Sequence, residues 1–255
     1  MLREEQDIIP YETTDLTGKR VLVFSPHPDD ETIGCGGSLA IHTRAGDLVK
    51  LVILTNGAMG DFSGKATRDE YIARRKNEAI RASKLLGIDD IEFWGYEDRN
   101  LAGSKEAISR MVDLLRKYKP GMVYVPSPLE FHPDHRAASF FVCEAIRKCA
   151  WECEVAFYEL GQAISVNCLV DISGTLDLKI NAIKAYESQL EELPYLDVSI
   201  ALNRLRSLTL PKEVTHAEGF FVINAHKLKE EGPLAVVYYF LNRVKEDFEY
   251  LLKDG

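Results

Sequence analysis

The chain has 255 residues, of which 46% are hydrophobic and 28% charged, an ordinary globular composition that excludes wholesale disorder. Lys and Arg total 31 against 40 Asp and Glu, so the net charge of −9 excludes the broad basic surface of a nucleic-acid-binding protein. No apolar run reaches the roughly 18 residues of a membrane span, and the charged N-terminus lacks the apolar core of a signal peptide.

The cysteine content indicates a reducing compartment. The count is odd at five, and no CxxC pair is present. Because disulfides belong mainly to secreted proteins, we expect free thiols and a cytoplasmic protein.

Strands and helices are predicted to alternate along the first half of the chain, after a polar N-terminal arm at residues 1–19. Short apolar runs of the kind buried on both faces predict strands, and amphipathic stretches ending at glycine predict helices. The expected strands are 21–25, 48–54, 91–94 and 122–125, and the expected helices are 36–46, 70–86 and 105–118.

The second half continues with a mixture of both element types. Helices are expected at 134–150, 176–186, 199–208 and 234–251, and strands at 155–158, 168–172 and 219–223. Such β-α alternation, without a low-complexity linker, predicts one Rossmann-like α/β domain spanning residues 1–255. Its sheet should be mostly parallel, with helices on both faces.

Two segments rich in metal-ligand side chains follow predicted strands. Pro-His-Pro-Asp-Asp-Glu at 26–31 comes directly after the first strand, and His-Pro-Asp-His at 132–135 follows the strand at 122–125. Open α/β sheets bind ligands beyond the carboxyl ends of their strands, so both segments should open at one rim. Singly, each is typical of a solvated loop, but together they favour a site for a dication.

The residue types fit a metal that activates water. Such a site needs three protein ligands and one open position, and imidazole with carboxylate suits Zn²⁺ or Fe²⁺ better than Mg²⁺. A dication would also relieve the repulsion among Asp29, Asp30 and Glu31. If this backbone is extended, adjacent side chains point apart, which leaves one aspartate free to act as a base beside the metal.

Residues 21–40, Val-Leu-Val-Phe-Ser-Pro-His-Pro-Asp-Asp-Glu-Thr-Ile-Gly-Cys-Gly-Gly-Ser-Leu-Ala, resemble the opening of the PIG-L/LmbE family of zinc-dependent N-acetylglucosamine deacetylases. His-Pro-Asp-His-Arg-Ala at 132–137 resembles the second motif of that family. Weaker similarity is carried by Arg-Arg-Lys-Asn-Glu at 74–78, by Lys179 with Tyr-Glu-Ser-Gln at 186–189, and by Ala-Glu-Gly-Phe at 217–220.

The resemblance implies a role for each matching position. One Zn²⁺ per chain, or alternatively Fe²⁺, would be held by His27, Asp30 and His135. Asp29 would be the general base, and His132 would either stabilise the oxyanion or protonate the leaving amine. Arg75 and Asp98 would bind the substrate. The family also implies a homo-oligomer of undetermined size.

The resemblance therefore predicts an enzyme that hydrolyses the N-acetyl amide of an N-acetylglucosamine-containing small molecule, with the aglycone left open. Some members carry a tyrosine just before the second motif, where this chain has Leu-Glu-Phe at 129–131. Two alternatives remain: a metal-dependent hydrolase of another amide or of a phosphate ester, and a sugar-binding module without catalysis.

Overall fold

The computed structural model describes residues 4–62, 64, 66–149, 151–232 and 236–237. Within these residues the strands form one seven-stranded sheet. The strands are β1 Val21–Ser25, β2 Val49–Thr55, β3 Asp90–Tyr96, β4 Met122–Pro126, β5 Glu154–Tyr158, β6 Cys168–Asp171 and β7 Ala217–Asn224. The helices are α1 Glu5–Ile8, α2 Asp30–Arg44, α3 Arg68–Leu85, α4 Glu106–Tyr118, α5 Pro133–Cys149, α6 Leu176–Lys184, α7 Glu187–Leu190, α8 Tyr195–Arg206 and α9 Ala225–Glu231.

The order of the sheet is β3-β2-β1-β4-β5-β7-β6. β1 pairs in parallel with both β2 and β4, and β5 continues the parallel part beside β4. β7 is antiparallel to both β5 and β6, so the far edge of the sheet runs against the rest. The predicted α/β fold with a mostly parallel sheet is confirmed.

Both faces of the sheet are covered, as the apolar strands predicted. Alternate residues of the central strands enter two separate cores. Leu22 and Phe24 belong to the core beneath α4, α5 and α9, whereas Val21 and Val23 belong to the core beneath α2, α3 and α6. All five residues of β1 are buried, which accounts for its continuous apolar run.

Helix α2 begins at Asp30, six positions before the expected start at Gly36. Its backbone is kinked at Cys35, where φ is −141°, so the predicted helix is only the part after the kink. The helix lies so close to β5 that a Cβ at Gly34 would collide with the ring of Tyr158. This close packing fixes the start of α2, and therefore Asp30, against the sheet.

The N-terminal arm packs against the body of the protein, although its polar sequence predicts a loose segment. Leu16 is buried, and the backbone N–H of Thr14 donates to the carbonyl of Leu169 on β6. The short helices α1 and α7 were not predicted, and most of the helix expected at 234–251 lies outside the described residues. In the described part of the chain, no helix combines the length and apolarity needed to cross a bilayer.

Candidate metal and catalytic site

The two predicted ligand segments meet at the carboxyl ends of β1 and β4. These strands are neighbours in the sheet, and the order of the sheet reverses between them, which is where α/β proteins bind ligands. His27 lies on the loop after β1, and His135 lies in the first turn of α5. Their ring nitrogens are 3.2 Å apart although 108 positions separate them in sequence.

Three donor atoms form a compact triangle. Asp30 Oδ2 is 3.0 Å from His27 Nδ1 and 3.2 Å from His135 Nε2, and the two imidazole nitrogens complete the triangle at 3.2 Å. Metal bonds of about 2.0–2.1 Å in a tetrahedral site separate ligand atoms by about 3.3–3.4 Å. The residues present therefore fit a dication bound by two imidazoles and one carboxylate.

Burial and charge also suit this role. Burial alone would raise the pKa of the Asp30 carboxyl, but the neighbouring His135 and His27 hold it well below its usual range. The Asp30 carboxylate is therefore ionised, as a metal ligand must be.

The outer nitrogen of His27 faces two further carboxylates. His27 Nε2 lies 3.3 Å from Asp98 Oδ1 and 3.3 Å from Asp134 Oδ2. A proton on Nε2 leaves the lone pair on Nδ1 directed at the triangle, as in the carboxylate–histidine–metal arrangement of many metal sites. Burial alone would raise the pKa of Asp98, but the hydrogen bond from His27 lowers it to about 2.

Two other groups of potential ligand atoms lie within 4.8 Å of one another: one from His27, His132 and His135, and one from His27, Asp98, His132 and Asp134. We favour the triangle as the ligand set because the carboxylates at His27 Nε2 place the proton there and leave the lone pair on Nδ1. His132 is not available as a ligand in this arrangement, since its Nδ1 lone pair accepts the backbone N–H of Asp134. Asp134 is also occupied, since it accepts hydrogen bonds from the backbone N–H groups of Arg99 and Leu101. Sequence reasoning passed over Asp134, although it stands between the two histidines of the second motif.

Asp29 lies beside the triangle in a conformation that the sequence did not predict. Its φ is 140°, which is unfavourable for a residue with a side chain, and Asp30 is already helical. The expectation that extended backbone separates the two carboxylates is therefore wrong, since a sharp turn separates them. Burial raises the pKa of Asp29 to about 7, although the Arg75 guanidinium favours the ionised form.

Arg75 joins the two loops that border the site. Its guanidinium is buried and lies 3.0 Å from Asp29 Oδ2, and it also donates to the carbonyls of Pro28 and Gly57. The same side chain lines the cavity described below. Its partners in the protein point to a positioning role beside the predicted contact with substrate.

His132 is half-buried, and its ring packs edge-on against His27 with centroids 4.5 Å apart. The backbone N–H of Asp134 donates to His132 Nδ1, so that nitrogen is an acceptor and Nε2 carries the proton of the neutral ring. Burial lowers the pKa of His132 to about 4, and the neighbouring His27 and His135 act in the same direction. At neutral pH this residue is an uncharged N–H donor.

Two buried glutamates support the loops from behind. Glu31 bonds to Ser25 and Tyr186, and burial raises its pKa. Glu130, which stands before the second motif, accepts hydrogen bonds from the backbone of Leu160 and Gly161. The sequence did not indicate the contacts with Tyr186, Leu160 and Gly161, because these partners are distant along the chain.

A cavity of about 340 Å³ opens over this site, within the range of small-molecule sites. All seven predicted site residues line it: His27, Asp29, Asp30, Arg75, Asp98, His132 and His135. Residues of other segments complete the wall, among them Met59, Gly60, Phe62, Phe131, Leu160, Gly161, Gln189, Leu193, Pro194, Tyr195 and Val198. The arrangement can hold a metal ion, a base and an N–H donor around one bound molecule.

Comparison with known proteins identifies similar chains. Residues 22–146 match the family model described as PIG-L, GlcNAc-PI de-N-acetylase. Diacetylchitobiose deacetylase of Thermococcus kodakarensis is 33% identical over 193 residues, covering 68% of this chain and 71% of that protein. A probable N-acetyl-alpha-D-glucosaminyl L-malate deacetylase of Bacillus cereus is 30% identical over 193 residues, covering 69% and 86% respectively.

The fold is also found among solved structures. The N,N′-diacetylchitobiose deacetylase from Pyrococcus horikoshii superimposes with a TM-score of 0.72 and 27% identity, covering 82% of this chain and 85% of that one. The similarity therefore extends beyond the part of the chain that carries the ligand loops.

Proposed function

Because the chain belongs to the PIG-L family of GlcNAc-PI de-N-acetylases, we propose that it hydrolyses the N-acetyl amide of an N-acetylglucosamine-containing small molecule. The products are acetate and the free amine of the sugar. The observation that carries the proposal is the triangle of His27, Asp30 and His135 with Asp29 beside it, at the floor of a cavity.

We propose Zn²⁺ as the metal, with Fe²⁺ as the alternative. Nitrogen and carboxylate donors in a set of three suit either ion, and the potential ligand groups all share His27, which favours one ion per chain. When bound, the ion would supply a water of lowered pKa and a Lewis acid for the amide carbonyl.

Asp29 is proposed as the general base. A pKa of about 7 lets its carboxylate take a proton from the attacking water and later return that proton to the leaving nitrogen. The ion pair with Arg75 keeps the carboxylate directed at the site. The roles of Arg75 and Asp98 as direct substrate contacts stay predictions. We propose that both also position catalytic groups, Arg75 through Asp29 and Asp98 through His27.

His132 is proposed to stabilise the oxyanion. As the carbonyl oxygen of the acetyl group gains negative charge in the tetrahedral intermediate, the Nε2–H of His132 can donate to it. The pKa of about 4 disfavours the alternative, protonation of the amine by an imidazolium, because the ring is neutral at physiological pH. The returning proton is therefore assigned to Asp29.

The proposal is tested by measuring acetate release from N-acetylglucosamine, diacetylchitobiose and N-acetylglucosaminyl malate with stoichiometric Zn²⁺. We expect turnover of at least one of them, and its loss on chelation. Protein that binds Zn²⁺ yet releases acetate from none of these amides would contradict the proposal. Hydrolysis of a phosphate ester instead, or sugar binding unaffected by chelation, would identify one of the two alternatives.

Three further expectations stay predictions. They are that residues 1–255 act as a single deacetylase domain, that the protein is cytoplasmic, and that it forms a homo-oligomer. Size measurement by light scattering would test the last of these.

A further inference from the structure

Phe131 is an aromatic residue at the mouth of the cavity, and 70% of it is exposed. It directly precedes His132, and both residues line the same cavity. Contact of a phenylalanine ring with water is unfavourable, and burial of the ring against a ligand would remove that cost.

The backbone beneath this ring is fixed. Arg136 donates from Nη1 to the carbonyls of both Glu130 and Phe131. The Glu130 side chain bonds to the N–H of Leu160 at 2.9 Å and to that of Gly161 at 3.1 Å. These contacts hold the segment from both sides although the ring itself reaches into solvent.

The Phe131 ring also packs against the backbone at Gly161. A Cβ at residue 161 would collide with the ring of Phe131, so the bare glycine is what lets the ring lie there. The backbone of this segment is therefore already held in place before a ligand binds, and such preorganisation favours binding.

Other side chains at the mouth share this apolar character. Phe62 is 62% exposed, and Met59, Leu193 and Val198 are exposed as well. All four line the cavity, whereas its floor carries the carboxylates and imidazoles. The cavity thus has a polar floor that suits the amide and an apolar mouth that suits the group attached to the sugar.

We propose that the mouth is a subsite for a flat apolar face attached to the amino sugar, with the Phe131 ring as its stacking surface. The inference rests on the proposed deacetylase function. Two groups present such a face: an aryl aglycone and the C–H face of a second pyranose ring. A small anionic aglycone would instead engage Arg99, which also lines the cavity.

The test compares kcat/KM for phenyl N-acetyl-β-glucosaminide, diacetylchitobiose and free N-acetylglucosamine, in the wild type and in Phe131→Ala. We expect the conjugates to be preferred over the free sugar. The ratio of the preferred conjugate to the free sugar should fall about three- to tenfold in Phe131→Ala, the range expected from loss of an aromatic contact. Phe131→Trp should retain the preference. Calorimetry should show the same loss for binding of the deacetylated phenyl glucosaminide.

The control is Phe140→Ala, which removes an exposed phenylalanine from α5 that does not line the cavity. Its ratio should match the wild type. Preference for the phenyl N-acetyl-β-glucosaminide identifies an aryl aglycone, and preference for diacetylchitobiose identifies a second sugar.

The inference and the proposed function fail in different ways. Absence of acetate release from every substrate counts against the deacetylase function itself. Turnover with a ratio unchanged in Phe131→Ala, or without preference for either conjugate over the free sugar, overturns the subsite alone. A changed oligomeric state with an unchanged ratio would assign the ring to a subunit contact and also overturn it.

Discussion

Asp29 shows how this site separates two adjacent carboxylates. Its backbone has φ of 140°, a costly conformation that proteins retain mainly where the surroundings require it. The turn sends Asp30 to the ligand triangle and Asp29 to Arg75. The two aspartates therefore differ in their ionisation. Two neighbouring imidazoles keep the pKa of Asp30 well below its usual range, whereas burial raises the pKa of Asp29 to about 7.

We expect Asp29→Asn to lower kcat by about a hundredfold or more, because a general base typically contributes 10²–10⁴-fold. The variant should keep its metal, since Asp29 is outside the triangle, and atomic absorption measures this directly. His27→Ala should lose both metal and turnover.

Asp113→Asn, the same change at an exposed position on α4, is the matched control and should leave both quantities unaltered. Full activity in Asp29→Asn would contradict the assignment of Asp29 as the general base. Loss of metal in that variant would instead indicate that Asp29 is a metal ligand.

For individual residues, the sequence predicts which side chains are metal ligands but not which residues hydrogen-bond to those ligands. His27, Asp30 and His135 follow strands whose ends must share a rim, so short-range pattern and topology were sufficient. The contact of His27 with Asp134 depends on a rotamer and on the path of the loop at 98–101. No local pattern encodes such a contact.

Among the elements, Glu218 of β7 connects three pieces of the structure. Its carboxylate accepts hydrogen bonds from the backbone N–H groups of Gly37 and Ser38 in α2 and from the Lys179 ammonium of α6. Both charged side chains are completely buried. Glu218 therefore holds the helix that begins with Asp30 in place from its far side.

We expect Lys179→Met to lower the free energy of unfolding by about 3–5 kcal/mol, because it leaves a buried carboxylate without its cation. Urea denaturation measures the change. The comparison is Arg147→Met, which removes the solvent-exposed cation of the pair with the half-buried Glu144 and should cost less than about 1 kcal/mol. Equal costs for the two substitutions would show that the buried pair does not stabilise the fold.

The strands show which parts of the fold can be predicted from the sequence pattern alone. The strands β1 and β4 were predicted almost residue for residue, since continuous apolar runs bounded by polar loops have few other interpretations. The position of β7 between β5 and β6 was not predicted, because pairing at the edge of a sheet depends on contacts between distant segments. Lys179 and Glu218 were noticed as weak motifs, but their ion pair is a tertiary contact.

Across the whole molecule, a metal at the triangle would connect the loop after β1 to the start of α5. Metal that binds only the folded state stabilises it by about 2.7 kcal/mol at a free concentration of 100 times Kd. For a chain of this size we expect the melting temperature to rise by about 5–10 °C when Zn²⁺ is added to metal-free protein. Scanning calorimetry measures this shift.

Asp30→Ala should abolish that shift, and Asp113→Asn should retain it. A shift that persists in Asp30→Ala would place the stabilising ion elsewhere in the chain. Because the variant lacks one ligand only, it separates binding at the triangle from adventitious binding to surface histidines.

The ligand loops and much of the cavity wall come from different halves of the chain. The family match ends at residue 146, whereas Leu160, Gly161 and the segment Gln189–Val198 follow it. Mutations in the later half can therefore reshape the binding surface while the hydrolytic centre stays intact. Substitutions at these later positions would therefore change which substituents on the sugar the cavity accepts, without removing a ligand of the triangle.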